Sequence, residues 1–276
     1  MCPAPGRAGP PENRRGSMTY QNIHEGVQSA SALMGIPLNN ATRTAPAPKT
    51  DPVKQFVALA RSIKGHKPFR VFDDWCEIMF CAIAAITART PERAAELIRQ
   101  QEQASAKYTQ QDIRTMESML GVAQAAISRG GRDFLGEACG LMGALDGGVG
   151  QFFTPFEVSQ MLVSMTAPDI AAIVRDQGHF RGADPAAGSG GLLVALADHC
   201  ESVGVDLGDV FVEGVELVPS TYHMLFVQLS LRGVAARAVC GNTLTQKVQQ
   251  SAYTPAGVAF INKHGVRNAA TGMVWS

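Results

Sequence analysis

The chain has 276 residues, enough for one large domain or two modest ones, so core size sets no limit on the fold. Hydrophobic residues make up 46% and charged residues 17%, and 24 basic side chains balance 24 acidic ones. A net charge of zero excludes a bulk positive field that would collect nucleic acid, so any DNA contact has to come from a local patch.

No apolar run reaches the roughly 18 residues a membrane span needs, so no membrane partner is expected. The opening segment lacks a charged stretch followed by an apolar core, and the expected location is cytoplasmic. The six cysteines (Cys2, Cys76, Cys81, Cys139, Cys200, Cys240) show no CxxC or Cys/His spacing. They read as buried or idle thiols, and no metal is expected.

Residues 1–50 are rich in Pro, Gly, Ala, Ser and Asn and read as a disordered N-terminal segment, with Met18 a candidate true start. Helical signals follow. Asp51-Pro52 is an N-cap and N1 pair, with Val53, Phe56, Ala60 and Ile63 on one face and Gly65 as a stop. Trp75 to Arg89 reads as a buried helix, Thr90-Pro91-Glu92 opens another, and Ile113 to Ser128 and Asp133 to Leu145 follow. Residues 51–148 contain no strand candidate and are expected to form a helical N-terminal region.

The character changes at Gly147-Gly148. Thr154-Pro155-Phe156-Glu157 matches a capping box with proline at N1, and Val158, Met161, Leu162 and Met165 form the helical face behind it. After a second helix from Pro168 to Gln177, the pattern alternates strand, loop and helix. Phe180–Asp184 precedes a helix at Gly190–Val203, Val210–Leu217 precedes Pro219–Arg232, and Arg237–Cys240 runs into a loop. Such alternation predicts a parallel sheet with right-handed crossovers. Val258–Ile261 is a candidate fourth strand, and the chain has no room for a full doubly wound sheet.

Asp184-Pro185-Ala186-Ala187-Gly188-Ser189-Gly190-Gly191 lies between a strand and a helix. Glycines there let the backbone approach a ligand, free N–H groups of the next helix face it, and an acidic strand end suits an amine. The plain alternative is a tight turn with no ligand, and a bare GxGG does not decide between them. The second strand ends in Glu213-Gly214-Val215-Glu216-Leu217, where Glu216 can take two hydrogen bonds from a ribose diol. The third ends in Cys240-Gly241-Asn242-Thr243-Leu244, which puts an amide at the same sheet edge.

Gly150-Gln151-Phe152-Phe153-Thr154-Pro155, Asp184 to Gly191, Gly214-Val215-Glu216-Leu217 and Gly241-Asn242-Thr243-Leu244 occur in this order. Together they resemble the motifs of the N6-adenine DNA methylase family, including modification subunits of type I restriction systems, over roughly residues 120 to 245. The resemblance implies an α/β fold. Its Rossmann-like, S-adenosylmethionine-dependent methyltransferase core, with an incomplete parallel sheet, would span residues 149–276 behind the all-helical region. It implies S-adenosylmethionine as cofactor, DNA as partner, and a specificity or complementing subunit.

By the same resemblance, Phe153 and Thr154 flank the methionine moiety, and Thr154 is also a candidate helix cap. Asp184 binds the cofactor's amino group, with Ala186 in the same loop, and Gly188 and Gly190 give the close backbone approach. Glu216 binds the ribose hydroxyls, Leu217 packs on the adenine ring, and Asn242 meets the adenine edge, where the family more often has Asp.

In this family the fourth strand ends in (Asn/Asp)-Pro-Pro-(Phe/Tyr/Trp). Oxygen acceptors there localise the lone pair of the exocyclic amine, and the aromatic ring stacks the flipped base. No such tetrapeptide follows Leu244. Pro-Pro occurs only at Pro10-Pro11, and Phe260-Ile261-Asn262-Lys263 has an aromatic and an amide in the wrong order. Catalytic residues are therefore unassigned, and three readings stand. The chain is an adenine-N6 DNA methyltransferase whose remaining part is lost or supplied by a partner, a non-catalytic S-adenosylmethionine-binding regulatory or anti-restriction protein, or a dinucleotide binder. The last is disfavoured, because GSGG is not G-x-G-x-x-G.

His179, His199 and His223 read as structural, and Tyr222, His223 and Phe226 as residues packing on the sheet. Arg89, Arg93 and Arg99 alternate with Glu92, Glu96 and Glu102, which reads as a solvated face.

Overall fold

The computed structural model describes residues 50–143 and 153–265. The expected N-terminal disorder, Met18 and the Gly147-Gly148 boundary therefore lie outside the described residues, as do Gly150 to Phe152.

The amino-terminal half is helical throughout its described length. Asp51 caps α1 (Pro52–Ser62), accepting a hydrogen bond from Val53 N at 3.2 Å. The next helix, α2 (Pro68–Ile86), starts seven residues ahead of the expected Trp75, with Pro68 opening its first turn. Thr90 caps α3 (Pro91–Ser105), and Thr109 and Asp112 form a reciprocal capping box on α4 (Gln110–Ile127). A short α5 (Phe134–Leu141) is capped by Asp133. Phe56 is the hub of this half, with its ring edge-on to Trp75 at 5.0 Å, Phe134 at 5.4 Å and Phe72 at 6.2 Å.

The second half begins with α6 (Phe156–Thr166), where the expected capping box is corrected. Pro155 is the N-cap, its carbonyl accepting from Val158 N and Ser159 N, and Thr154 makes no capping bond. The helical face is also reversed. Phe156, Ser159 and Val163 are buried, whereas Val158, Met161, Leu162 and Met165 are exposed, Met165 to 70%. The helix packs on the rest of the fold through Phe156, Ser159 and Val163 and leaves an apolar stripe outward.

After α7 (Ile170–Gln177), β1 (Phe180–Asp184), α8 (Gly191–Ser202), a 3-10 turn (Leu207–Asp209), β2 (Val210–Glu216), α9 (Pro219–Arg232) and β3 (Ala235–Asn242) follow. The three strands pair in parallel in chain order, as expected. A fourth strand, β4 (Lys247–Tyr253), adds antiparallel to β3, so the sheet is mixed rather than wholly parallel. Asn242 Oδ1 accepts from Thr245 N at 3.0 Å to hold the reversal. Gly241 sits at a register shift where a Cβ would come 2.6 Å from the Lys247 carbonyl oxygen.

The candidate strand at Val258–Ile261 is helix, within α10 (Pro255–His264). Thr254 Oγ1 accepts from Gly257 N and Ala236 N, both at 3.0 Å, which starts that helix beside β3.

Successive residues of β2 point to opposite faces. Phe211 meets Phe260 of α10 at 5.1 Å, while a Cβ on Gly214 would lie 3.1 Å from both Leu193 of α8 and Leu225 of α9. Tyr222, His223 and Phe226 of α9 clasp Phe80 of α2 at 5.1, 4.6 and 5.1 Å and so join the helical half to α9. Burial pushes the His223 ring down to about 4, which keeps it neutral in that stack. One buried apolar cluster consequently runs from Val53 to Cys240.

Arg93 is not only a solvated residue. It pairs with Glu96 at 2.8 Å and donates to Gln250 of β4 at 3.0 Å, while Thr87 Oγ1 donates to the Tyr253 carbonyl at 2.9 Å. The five described cysteines are buried free thiols.

Candidate cofactor site

The carboxyl ends of β1, β2 and β3 meet at one edge of the sheet. There the chain leaves β1 through Pro185–Gly190 and enters α8. The left-handed backbone of Gly188 (φ 56) and Gly190 (φ 94) turns it back sharply, a conformation that costs glycine little. Ala187 N donates to the Val215 carbonyl at 2.9 Å, which ties the loop to β2.

A cavity of about 200 Å³ lies against this loop. Of the residues expected at the site, Phe153, Thr154, Asp184, Ala186 and Gly188 line it. A Cβ on Gly188 would come 3.2 Å from the Phe153 ring, so this glycine keeps the wall open where the ring lies. The Asp184 carboxylate accepts from Ala186 N at 3.0 Å, and burial nevertheless pushes its pKa above the ordinary carboxylate value. A desolvated acid at the end of a strand favours a cationic partner, which would restore the charge its burial penalises.

The other expected residues sit around the cavity rather than in its wall. Gly190 is glycine for packing, since a Cβ there would reach 2.9 Å from Leu225 of α9. Both Glu216 oxygens accept backbone amides, Oε2 from Gly188 N at 3.1 Å and Oε1 from Val218 N at 2.9 Å. Glu216 thus reaches the glycine loop across the sheet edge. Leu217 is 53% exposed beside it, and Asn242 is engaged in its own turn through Thr245 N. Thr243 Oγ1 donates to the Pro185 carbonyl and brings the end of β3 to the same loop.

Sequence reasoning missed Asp133, Ser159, Leu162 and Ser189, which also line the cavity. Asp133 belongs to the helical half and reaches the loop from 56 residues away in sequence. Ser159 has no exposed surface, and its Oγ has no hydrogen-bond partner among the described residues. A buried hydroxyl without a partner is costly, and one in a cavity wall is poised to bond a polar ligand. The signal for it was available, because Ser159 lies one turn beyond Pro155.

A mixed α/β sheet whose three parallel strands end at a glycine loop and two acidic residues has the layout of folds that bind nucleotide-like cofactors at that edge. Residues 141–262 match the family described as N-6 DNA Methylase. No curated protein matches the chain.

Two solved structures resemble the fold at low identity. A Listeria monocytogenes protein described as a class I S-adenosylmethionine-dependent methyltransferase is 13% identical with a TM-score of 0.38, covering 79% of this chain and 52% of that one. The type I restriction-modification system methyltransferase subunit from Streptococcus thermophilus is 16% identical with a TM-score of 0.30, covering 78% and 57%. The chain thus spans little more than half the length of each.

The donor set fits the amino-acid end of S-adenosylmethionine. The unpartnered Ser159 hydroxyl, the half-buried Asp184 carboxylate and the cradle that a Cβ at Gly188 would fill converge on one cavity. Its volume lies below the roughly 300–1,000 Å³ of drug-sized ligand pockets, so it accommodates part of such a molecule. Among the described residues there is no group of three potential metal ligands and no helix long and apolar enough to cross a membrane.

Proposed function

We propose that this chain binds S-adenosylmethionine at the carboxyl edge of its sheet and serves the methylation of adenine N6 in DNA. The observation that carries the reading is the convergence of Asp184, the unpartnered Ser159 hydroxyl and the Gly188 backbone on one cavity, in a segment that matches N-6 DNA Methylase. When bound, the cofactor supplies a methyl group on a sulfonium centre.

The residues of this chain then bind and orient. Asp184 holds the ammonium of the amino-acid end, Ser159 and Thr154 donate to its carboxylate, and Phe153 closes the apolar side. Glu216 is the acceptor for the ribose diol, which requires its carboxylate to exchange the amides of Gly188 and Val218 for hydroxyl donors. Leu217 and Asn242 receive the adenine.

No residue of this chain is assigned to activate the adenine amine, and the partners are DNA and a specificity or complementing subunit. A second reading for the isolated chain is S-adenosylmethionine binding without transfer, in a regulatory or anti-restriction role. Calorimetric titration with S-adenosylmethionine tests the cofactor, and transfer of labelled methyl to DNA, with and without added partner subunits, separates the two readings. Saturable binding without transfer under any of these conditions would leave only the second.

A further inference from the structure

The helical half reaches the glycine loop through one side chain. Asp133 is 4% exposed, and its carboxylate accepts three hydrogen bonds. Ser189 Oγ of the loop donates to Oδ2, while Gln228 Nε2 of α9 at 2.7 Å and Gly136 N of α5 at 3.0 Å donate to Oδ1. Gln228 itself is fully buried and completes the circuit. Its Oε1 accepts from Leu135 N at 2.8 Å, and its Nε2 also donates to the Ser189 carbonyl at 2.8 Å.

Two glycines make room for the acid. A Cβ at Gly136 would lie 2.2 Å from Asp133 Oδ2, and one at Gly191 would lie 3.1 Å from the same atom. A second contact lies beside the first, where Gly131 N donates to Asp198 of α8 at 2.6 Å. Burying a carboxylate is unfavourable unless several donors satisfy it, and satisfied networks of this kind hold a single geometry. Here the donors come from the helical half, from the glycine loop and from α9, so none can move independently of the others.

We propose that Asp133 is a positioning residue for the cofactor loop, coupling the packing of α5 in the helical half to the affinity of the cavity beside Ser189. This rests on the cofactor reading above. Coupling of this type is reciprocal, so whatever Asp133 does for the ligand, the ligand does for the amides of α5.

The test pairs calorimetric titration of the full chain with hydrogen exchange, using S-adenosylmethionine as the probe. Asp133→Asn keeps the size of the side chain but offers one oxygen to three donors. Ser189→Ala removes only the loop hydroxyl and leaves the other two donors in place. Both variants are expected to weaken binding about tenfold, as for the loss of one hydrogen bond to a charged group. Saturation is expected to slow exchange at the Leu135 and Gly136 amides in the wild type and not in Ser189→Ala.

Unchanged affinity in the variants overturns the proposal. So does weakened affinity with exchange at Leu135 and Gly136 indifferent to ligand in the wild type, because that marks direct contact only. If Asp133→Asn does not fold, Ser189→Ala decides alone. Absence of binding by the wild type overturns the cofactor reading and this proposal together, an outcome distinct from the others.

Discussion

The two ends of the candidate site are built differently. At the glycine-loop end, Asp184, Ser159 and Asp133 are buried or half-buried in a cavity, with a hydroxyl that lacks a partner and an acid pushed up by burial. At the other end, Glu216 and Asn242 already accept bonds from backbone amides of other residues, and Leu217 stands half exposed. The first end is pre-formed and carries unspent polar capacity. The second has to release internal hydrogen bonds before it can take new ones, so the same chemistry contributes less net affinity there.

Asp184→Ala should break that comparison most sharply. Loss of a charged partner for a cation costs about 1.5–3 kcal/mol, or tenfold to a hundredfold and more in Kd, measurable by titration with S-adenosylmethionine. Wild-type affinity in this variant would remove the pre-formed end from the binding reaction.

The pH dependence comes next. Burial raises the pKa of Asp184, and a cationic ligand selects the ionised form, so affinity should be full above that raised pKa and fall as pH drops through it. Titrations between neutral pH and the ordinary carboxylate range should show this slope in the wild type and lose most of it in Asp184→Asn. Asp133 is also pushed up by burial, against its bonds to Ser189, Gln228 and Gly136, and accounts for what remains.

Ser159→Ala separates binding from folding. It should weaken the ligand by about 1 kcal/mol, roughly fivefold, while leaving the free protein as stable or more so, because a buried hydroxyl without a partner is removed. A parallel loss of melting temperature and affinity would show that the hydroxyl serves the fold instead. Leu217→Ala and Asn242→Asp should each change affinity by less than about 1 kcal/mol, the latter toward tighter binding through a better acceptor for an amine. A large effect at either position would mean that the open end is as well prepared as the closed one.

Much of this was legible in local sequence. Asp51-Pro52, Thr90-Pro91 and the Asp184 to Gly191 loop announce their structures because capping, proline geometry and glycine turns act within a few residues. The hairpin to β4 was not legible. Its reversal runs through Thr243 to Gln246, and Gln246 is the one described non-glycine residue with positive φ. Val258–Ile261 reads as a strand by composition, yet it is helix, because Thr254 and Pro255 start one and Phe260 finds Phe211 on the sheet.

The apolar spacing of Val158, Met161, Leu162 and Met165 gave a correct helical period and the wrong buried face. Period reports that a stripe exists, whereas the packing partner decides whether it turns inward. By itself, then, the sequence determined the strand–loop–helix order, the acidic strand ends and the motifs by which residues 141–262 match N-6 DNA Methylase, since these follow from short-range chemistry. Only the tertiary structure decided that Asp133 and Ser159 belong to the same cavity as Asp184. Their convergence depends on how α5, α6 and α8 pack, and buried polar partners brought together over 56 residues leave no local pattern to read.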